Sequence, residues 1–190
     1  MPEEIAARPA PAHGTVRVIG GPARGFGRMW QKTYSVPVPA GISPRQVMAA
    51  WRDRFPMLCP PQISRGRVLY ADGESFTVTT GPGDRIAGWI TLSCDRTGPA
   101  TTVRLHVLAR ASDPLSELAL AFGGWARQDE FWLAALSGLA QRLGTRCPGV
   151  ILRAICLDSR HQWHNTLGAG HHPVLRGALR LAALPLALLR

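Results

Sequence analysis

The segment RVLYADGESFTVTTGPGDRIAGWITLSCDRTGPATTVRLHVLAR, residues 67–110, contains four runs in which apolar and polar residues alternate. This alternation is typical of half-buried β-strands. The runs are separated by short turns at Asp72-Gly73, Gly81–Gly83 and Arg96–Pro99, and connections this short join antiparallel neighbours. We therefore predict an antiparallel meander with strands at 67–71, 75–80, 85–94 and 101–110.

The alternation assigns the side chains of the meander to two faces. One face carries Arg104, His106 and Arg110 together with Thr and Ser, so we expect it to be wet. One dry and one wet face is typical of an antiparallel sheet that is covered on one side. The dry face is predicted to comprise Val68, Tyr70, Phe76, Val78, Ile86, Ile90, Leu92, Cys94, Val103, Leu105 and Val107.

Upstream of the meander the sequence predicts a strand and a short helix. Lys32–Val38 alternates, with Tyr34 on its apolar face. Ser43-Pro44 supplies the residues preferred at a helix N-cap and first helical position, and apolar residues at helical spacing follow as far as Pro56. A further short strand is expected at 15–19, after a loose start that is rich in Pro and Ala.

Downstream of the meander the sequence predicts two helical segments. Asp113-Pro114 caps the first, and Gly123-Gly124 bends or ends it. The second is longer and ends at Gly144. The apolar stripe of the first is predicted to be Leu115, Leu118 and Phe122, and the inner face of the second to be Trp125, Trp132, Leu136, Leu139 and Leu143.

The C-terminal region is predicted to hold one more strand, at 150–157, and an apolar helix at 174–189 that carries Arg176 and Arg180. The nine residues after Arg180 are far fewer than the ~20 that cross a bilayer. Three interpretations of this helix stay open. It packs on its own domain, it lies in a membrane interface with both arginines toward anionic headgroups, or it pairs with a partner protein.

The chain is strongly basic, since 21 arginines and one lysine, Lys32, stand against 12 acidic residues and give a net charge of +10. Such a charge favours nucleic acid or anionic lipid as a partner. It also follows from GC-rich coding, and the arginines are scattered singly, often beside an acid. Two tyrosines and no arginine–aromatic stripe disfavour nucleic acid.

Cysteines stand at 59, 94, 147 and 156, without a CxxC pair, so we expect buried free thiols in a reducing compartment. The N-terminus lacks a signal-peptide pattern, and we expect a cytoplasmic protein, peripheral on the inner membrane face if the C-terminal helix is an anchor. Cys156, His161, His164, His171 and His172 are residue types that bind zinc, but their spacing is poor. We predict no metal and no cofactor.

A sheet with one dry face needs a cover, and the long helix is the only predicted element large enough. A twisted sheet that curls around one helix can leave an apolar chamber between them. We predict that a hydrophobic small molecule binds there. The predicted lining is Phe76, Val78, Ile90, Leu92, Val103, Leu105, Val107, Trp125, Trp132 and Leu136.

Three polar residues are candidates for catalysis in such a chamber. Asp129 lies between Trp125 and Trp132 on the predicted inner face, where burial would raise its pKa. Tyr34 and Tyr70 are predicted to face the dry side, where a ligand carbonyl could accept their hydroxyl protons. The alternatives are an acid at a helix start or paired with an inward arginine, and tyrosines bonded to backbone at the sheet rim.

The chain resembles the START/Bet v 1-like (SRPBCC) superfamily, of the polyketide cyclase/dehydrase and lipid-transport type, and within it a bacterial uncharacterised branch. The resemblance covers roughly residues 30–190. It rests on Ala111-Ser112-Asp113-Pro114-Leu115, Gly123-Gly124, Asp129-Glu130-Phe131-Trp132 with Leu136, Leu139 and Leu143-Gly144, and Asp158-Ser159-Arg160 with Gln162-Trp163. Two departures are four strands between the helices, where fuller members have six, and a strand and tail after the long helix.

The resemblance implies an α+β helix-grip fold, in which a curved antiparallel sheet wraps a long C-terminal helix, here with an extra strand and a tail helix. It also implies binding of a lipid or polyketide-like molecule, with transfer or cyclisation as possible outcomes. The predicted domains are a flexible extension at 1–28, a helix-grip domain at 29–157 and a basic apolar tail at 158–190. The alternative function is a peripheral membrane or protein-interaction module with a filled core.

Overall fold

The computed structural model of the chain describes residues 21–53, 63, 66–97, 100–146 and 148–165. The predicted strand at 15–19, Cys59, Cys147 and the helix at 174–189 with Arg176 and Arg180 lie outside these ranges. The described strands are β1 (Met29–Val38), β2 (Arg67–Ala71), β3 (Ser75–Thr79), β4 (Ile86–Thr97), β5 (Ala100–Ala111) and β6 (Ile151–Asp158). The described helices are α1 (Pro44–Arg52), α2 (Pro114–Ala119) and α3 (Trp125–Arg142), with a 3-10 turn at Pro22–Arg24.

The six strands form one antiparallel sheet in the order β2-β3-β4-β5-β1-β6. The meander from β2 to β5 confirms the strand prediction for residues 67–110. β1 joins the free side of β5, with Tyr34 opposite Leu105, and β6 then pairs with β1, with Leu152 opposite Tyr34. The prediction of an α+β fold with one antiparallel sheet and one long helix is confirmed.

Helix α1 forms where the sequence predicts it, because Ser43 and Gln46 form a reciprocal capping box at its N-terminus. The Ser43 hydroxyl accepts a hydrogen bond from the Gln46 N–H, and the Gln46 side chain accepts one from the Ser43 N–H at 2.8 Å. Val47, Met48 and Trp51 are buried. The helix thereby covers the inner face of the sheet near β4.

Helix α3 supplies the cover over β1. It follows a π-helical turn at residues 120–124, in which Gly123 adopts a φ of +95° that favours glycine. Trp132, Leu136 and Leu139 are buried, as predicted for the inner face. In the described part of the chain, no helix is long and apolar enough to cross a membrane.

The core lies between the sheet and these two helices. Its members include the inner-facing residues of β1, β3, β4 and β5 together with Trp51, Trp132 and Leu136. The prediction that Tyr70 faces the dry side is wrong, because a bulge between Val68 and Tyr70 places Tyr70 opposite Thr77 on the outer face, 55% exposed. Val68 lies on the predicted face, opposite Val78, but is 54% exposed because this edge strand is not covered. β2 is exposed along its whole length, beyond the reach of the helices.

The predicted apolar stripe of α2 is also wrong. Leu115, Leu118 and Phe122 are exposed, and α2 instead buries Ser116 and Leu120. The Asp113 cap turns Ser116 inward, since the Asp113 carboxylate accepts hydrogen bonds from both the N–H and the hydroxyl of Ser116 at 2.9 Å. The short helix therefore presents its most apolar side to solvent.

The sheet end where β5 finishes and β1 begins, here called the Ala111 end, is closed by two segments that the sequence assigns to a flexible extension and a tail. The Phe26 N–H donates to the Ala111 carbonyl at 2.7 Å, and the Phe26 carbonyl accepts from the Gln162 N–H at 2.7 Å. Phe26 is 4% exposed. Residues 21–28 and 158–165 therefore belong to the folded domain, and the predicted boundaries at 28/29 and 157/158 are too narrow.

Candidate functional site

The sheet is wider than its helical cover, and the inner face of its last strand, β6, is left uncovered. Strand register places Cys156 opposite Trp30 and Ala154 opposite Lys32, so all four side chains share the inner face. Lys32 is buried under α3, whereas Ala154 and Cys156 are exposed. We call the surface formed by Trp30, Ala154, Cys156 and the adjoining flank of α3 the groove.

Three polar groups meet at the buried side of this groove. The Lys32 ammonium donates to Asp129 Oδ1 at 2.6 Å, and the Tyr34 hydroxyl donates to the same oxygen at 2.5 Å. Tyr34 is fully buried and Lys32 is 5% exposed. The carboxylate of Asp129 neutralises the buried ammonium and keeps 24% of its own side chain exposed toward solvent.

The chemistry of the cluster is that of a hydrogen-bonding site. Burial, followed by the hydrogen bond to Asp129, raises the pKa of Tyr34 far above its usual value, so the phenol stays protonated and serves only as a donor. Asp129 accepts from both partners through Oδ1, and its exposed fraction leaves the carboxylate accessible to a donor from a ligand. The arrangement binds and orients a polar group rather than removing a proton from one.

Aromatic rings frame this polar cluster. The Lys32 ammonium lies 4.8 Å from the centroid of the Trp125 ring, a cation–π contact that holds the indole at the start of α3. Trp30 lies on the same sheet face, next to Lys32 along the inner side of β1. Both indoles are half-buried, so each presents apolar surface to the groove.

Two further polar side chains are buried on the inner side of α3. Gln128 is fully buried, and within the described residues neither its amide oxygen nor its amide nitrogen has a hydrogen-bond partner. The indole nitrogen of Trp132, one turn later, is also buried and has no hydrogen-bond partner among the described residues. Buried polar atoms left unpaired cost about 1–3 kcal/mol each, so such atoms call for an explanation such as water or a ligand.

The residues predicted to line a chamber are packed against one another. Val103, Leu105, Trp132 and Leu136 have no accessible surface, and Val78, Leu92 and Val107 have 1%. A space that admits water would give such side chains accessible area, so no such space borders these seven. A small cavity of about 100 Å³ lies instead between α1 and α3, beside Trp51, Ala135 and Gly138.

The candidates for catalysis separate into two groups. Tyr34 and Asp129 are brought together, with Lys32 as the basic partner in place of the inward arginine that the sequence suggested. Tyr70 is distant from them, because it is exposed on β2, where its hydroxyl donates to the Asp72 carboxylate.

Sequence reasoning missed Lys32, Trp30 and Gln128. One signal for Lys32 was available, since it is the only lysine among 22 basic residues and shares the alternation of Tyr34 on β1. Gln128 follows Trp125 by three residues and precedes Trp132 by four, which is the spacing of one helix face.

Of the two described cysteines, Cys94 agrees with the prediction of a buried free thiol and Cys156 does not. Cys94 is 8% exposed, and burial raises its pKa to about 12. Cys156 is exposed in the groove. Among the described residues, no group of three or more His, Cys, Asp or Glu side chains is arranged to hold a metal ion.

Comparison of the chain with protein-family models, with curated proteins and with solved structures finds no match.

Proposed function

We propose that the protein binds a hydrophobic small molecule, such as a lipid or a polyketide-like compound, in the groove between α3 and β6. The observation that carries this proposal is the uncovered inner face of β6 beside the buried Lys32–Tyr34–Asp129 cluster. An apolar concave surface with a few convergent polar groups is the usual form of a small-molecule site. The ligand would carry a hydrogen-bond donor, and the carboxylate of Asp129 would accept that hydrogen bond.

The resemblance to START-like proteins supports the same class of ligand. A six-stranded antiparallel sheet with a long helix late in the chain is compatible with a helix-grip fold. The ten residues predicted to line an internal chamber would then form the wall behind the groove, reached by a ligand only if α3 moved away from β1. Gln128 and Trp132 would supply polar atoms to a ligand that entered so far.

Binding is favoured over catalysis within this proposal. Because its pKa is raised, the Tyr34 phenol donates a hydrogen bond but is a poor general acid. It also cannot act as a general base near neutral pH, since it stays protonated. Transfer or cyclisation of the bound molecule would depend on its orientation in a dry site rather than on acid–base groups.

Cys156 provides a direct test, because its thiol stands in the groove. A protein with Cys59→Ser and Cys147→Ser retains Cys156 as the accessible thiol, since Cys94 is buried. We expect a fluorescent long-chain alcohol, whose hydroxyl can donate to Asp129, to slow the labelling of Cys156 by a thiol reagent by about tenfold at saturation. Mass spectrometry of the purified protein checks in parallel for a ligand that copurifies.

The matched control moves the thiol to the other face of the same strand. Ile155→Cys, combined with Cys156→Ser, places the thiol on the outer face, one residue away and also exposed. Labelling of this control should not respond to the fluorescent alcohol. Equal protection of both thiols, or protection of neither with no ligand in the mass spectrum, would refute the proposal.

A further inference from the structure

The Ala111 end of the sheet presents a group of exposed apolar side chains. Phe122 is 82% exposed in the turn between α2 and α3, and Trp163 is 70% exposed near the end of the described chain. Leu115 and Leu118 on α2 are 40% and 56% exposed. Single exposed apolar residues are common, but a group of them indicates an interaction surface.

Trp163 is connected to α2 through Phe26 and His161. The ring of Trp163 packs edge-on against Phe26, with 5.0 Å between the centroids. The His161 ring lies 5.1 Å from Phe26, and its Nε2 lies 3.6 Å from the Glu117 carboxylate. Glu117 directly precedes Leu118 on α2. Trp163 and the exposed side of α2 therefore neighbour each other at the Ala111 end.

The charge of this surface is positive. Exposed arginines surround it at positions Arg24, Arg28, Arg85, Arg127 and Arg160. The acidic side chains described at the same end are engaged or buried, since Asp113 caps α2, Asp158 bonds Arg110 at 3.2 Å and Asp84 is 3% exposed. Glu130 is exposed one turn further along α3. The exposed field at this end is thus dominated by guanidinium groups.

The opposite end of the sheet carries both charges. Asp72 and Glu74 stand in the turn between β2 and β3, where Arg52 donates to the Asp72 carbonyl, and Asp95 near the end of β4 pairs with Arg104. Charge alone therefore does not orient the molecule. The Ala111 end is favoured because its exposed arginines lie around the exposed side chains of Phe122 and Trp163.

We propose that the Ala111 end docks on an anionic lipid membrane, with Phe122 and Trp163 inserted at the interface and the five arginines facing lipid phosphates. Aromatic and aliphatic side chains with basic residues around them match the two layers of such a surface, acyl chains inside and headgroups outside. Exposed leucines fit acyl chains, whereas a nucleic acid would offer them only phosphates and bases. This proposal does not depend on ligand binding in the groove.

Vesicle sedimentation with the full chain tests the proposal. We expect binding to vesicles of phosphatidylcholine with phosphatidylglycerol, little binding to phosphatidylcholine alone, and weaker binding at high salt. The double variant Phe122→Ser with Trp163→Ser should lower the partition coefficient at least tenfold. Charge reversal at Arg28 and Arg160 should lower it about fivefold for each arginine.

The matched control is Arg96→Glu, which makes the same charge change at the opposite end of the sheet and should alter binding less than twofold. A fluorophore attached to Phe122→Cys, with the cysteines at 59, 147 and 156 replaced by serine, should shift its emission to the blue on anionic vesicles. The same dye at Arg96→Cys should show no shift.

Three results would overturn the proposal. The aromatic double variant could bind vesicles as the wild type does, with binding lost only in Arg176→Glu with Arg180→Glu, which would assign the membrane contact to the C-terminal segment. The dye at position 122 could stay insensitive to vesicles that bind the protein. The chain could bind DNA in a salt-dependent manner and ignore vesicles of either composition.

Discussion

Cys94 and Cys156 lie on the same face of one sheet, yet their surroundings are opposite. Cys94, on β4, belongs to the core, whereas Cys156, on β6, is open to solvent. The helices α1 and α3 cover the sheet as far as β1 and leave the last strand uncovered. The width of a sheet relative to its cover, rather than the hydrophobicity of its strands, therefore decides where a binding surface arises.

We call the strands under α1 and α3 the covered half of the sheet and the strand β6 the uncovered half. The rate of thiol labelling gives the largest expected contrast between them. With a pKa of about 12, Cys94 is thiolate in roughly one molecule in ten thousand at pH 8, and its burial blocks access as well. We expect Cys156 to react at least a thousandfold faster in the folded protein, as measured by mass spectrometry of a labelling time course. The difference should vanish in denaturant, and comparable rates without denaturant would show that α1 and α3 do not cover β4 as described.

Stability gives the second contrast. Leu136→Ala removes a fully buried side chain from the covered half and should lower the free energy of unfolding by about 2–5 kcal/mol. Cys156→Ala in the uncovered half should change it by less than about 0.5 kcal/mol. Denaturant unfolding followed by circular dichroism measures both. A large loss from Cys156→Ala would mean that the inner face of β6 is covered in solution.

The third prediction concerns the free energy of unfolding when the Lys32–Asp129 pair, at the border between the covered and uncovered halves, is broken. Asp129→Ala leaves the Lys32 ammonium 5% exposed without its carboxylate, and we expect a loss of about 1–3 kcal/mol, moderated by the partial exposure of Asp129. Lys32→Met in the same chain should restore most of that loss, because the uncompensated charge is then gone. Failure of the second substitution to restore stability would show that Asp129 acts through Tyr34 instead.

The smallest expected effect is a pH dependence of stability that arises from His106 on the outer face of the sheet. Burial, and then the charge of Arg104, lowers the pKa of His106, so the folded state takes up this proton less readily than the unfolded state. Stability is therefore expected to fall as the pH drops below about 6.5 through the lowered pKa of His106. His106→Gln should flatten this part of the profile, measured as melting temperature against pH. An unchanged slope would mean that the ring is solvated like an ordinary histidine.

The sequence predicts the meander well because each strand there alternates between a covered and an exposed face. It fails at β2, where a bulge moves Tyr70 to the outer face and Val68, on the inner face, is left uncovered. It fails at α2 for a related reason, because the Asp113 cap and the turn before α3 fix which side of a six-residue helix points inward. Local patterns identify an element, but the extent of its cover depends on distant parts of the chain.

The candidate site was predictable only in part. Tyr34 and Asp129 follow from strand and helix periodicity, since each lies on the inner side of its element. Their meeting on one carboxylate oxygen depends on the position of α3 over β1, which no local pattern records. The groove itself depends on β6 pairing with β1 rather than with β2 at the other edge, and the largely apolar run at 150–157 does not distinguish between the two edges.

The exposed edge strand β6 has a consequence for how the protein behaves at high concentration. Ile151, Ile155 and Leu157 are 58%, 58% and 48% exposed, and within the described chain this strand is paired on one side only. Such an edge is a template for strand addition by another copy, which Arg153 in its centre opposes. Mutual repulsion from a net charge of +10 keeps copies apart in dilute buffer. Added salt weakens that repulsion over distances beyond about 8 Å at 0.15 M, so colloidal stability should decline as ionic strength rises.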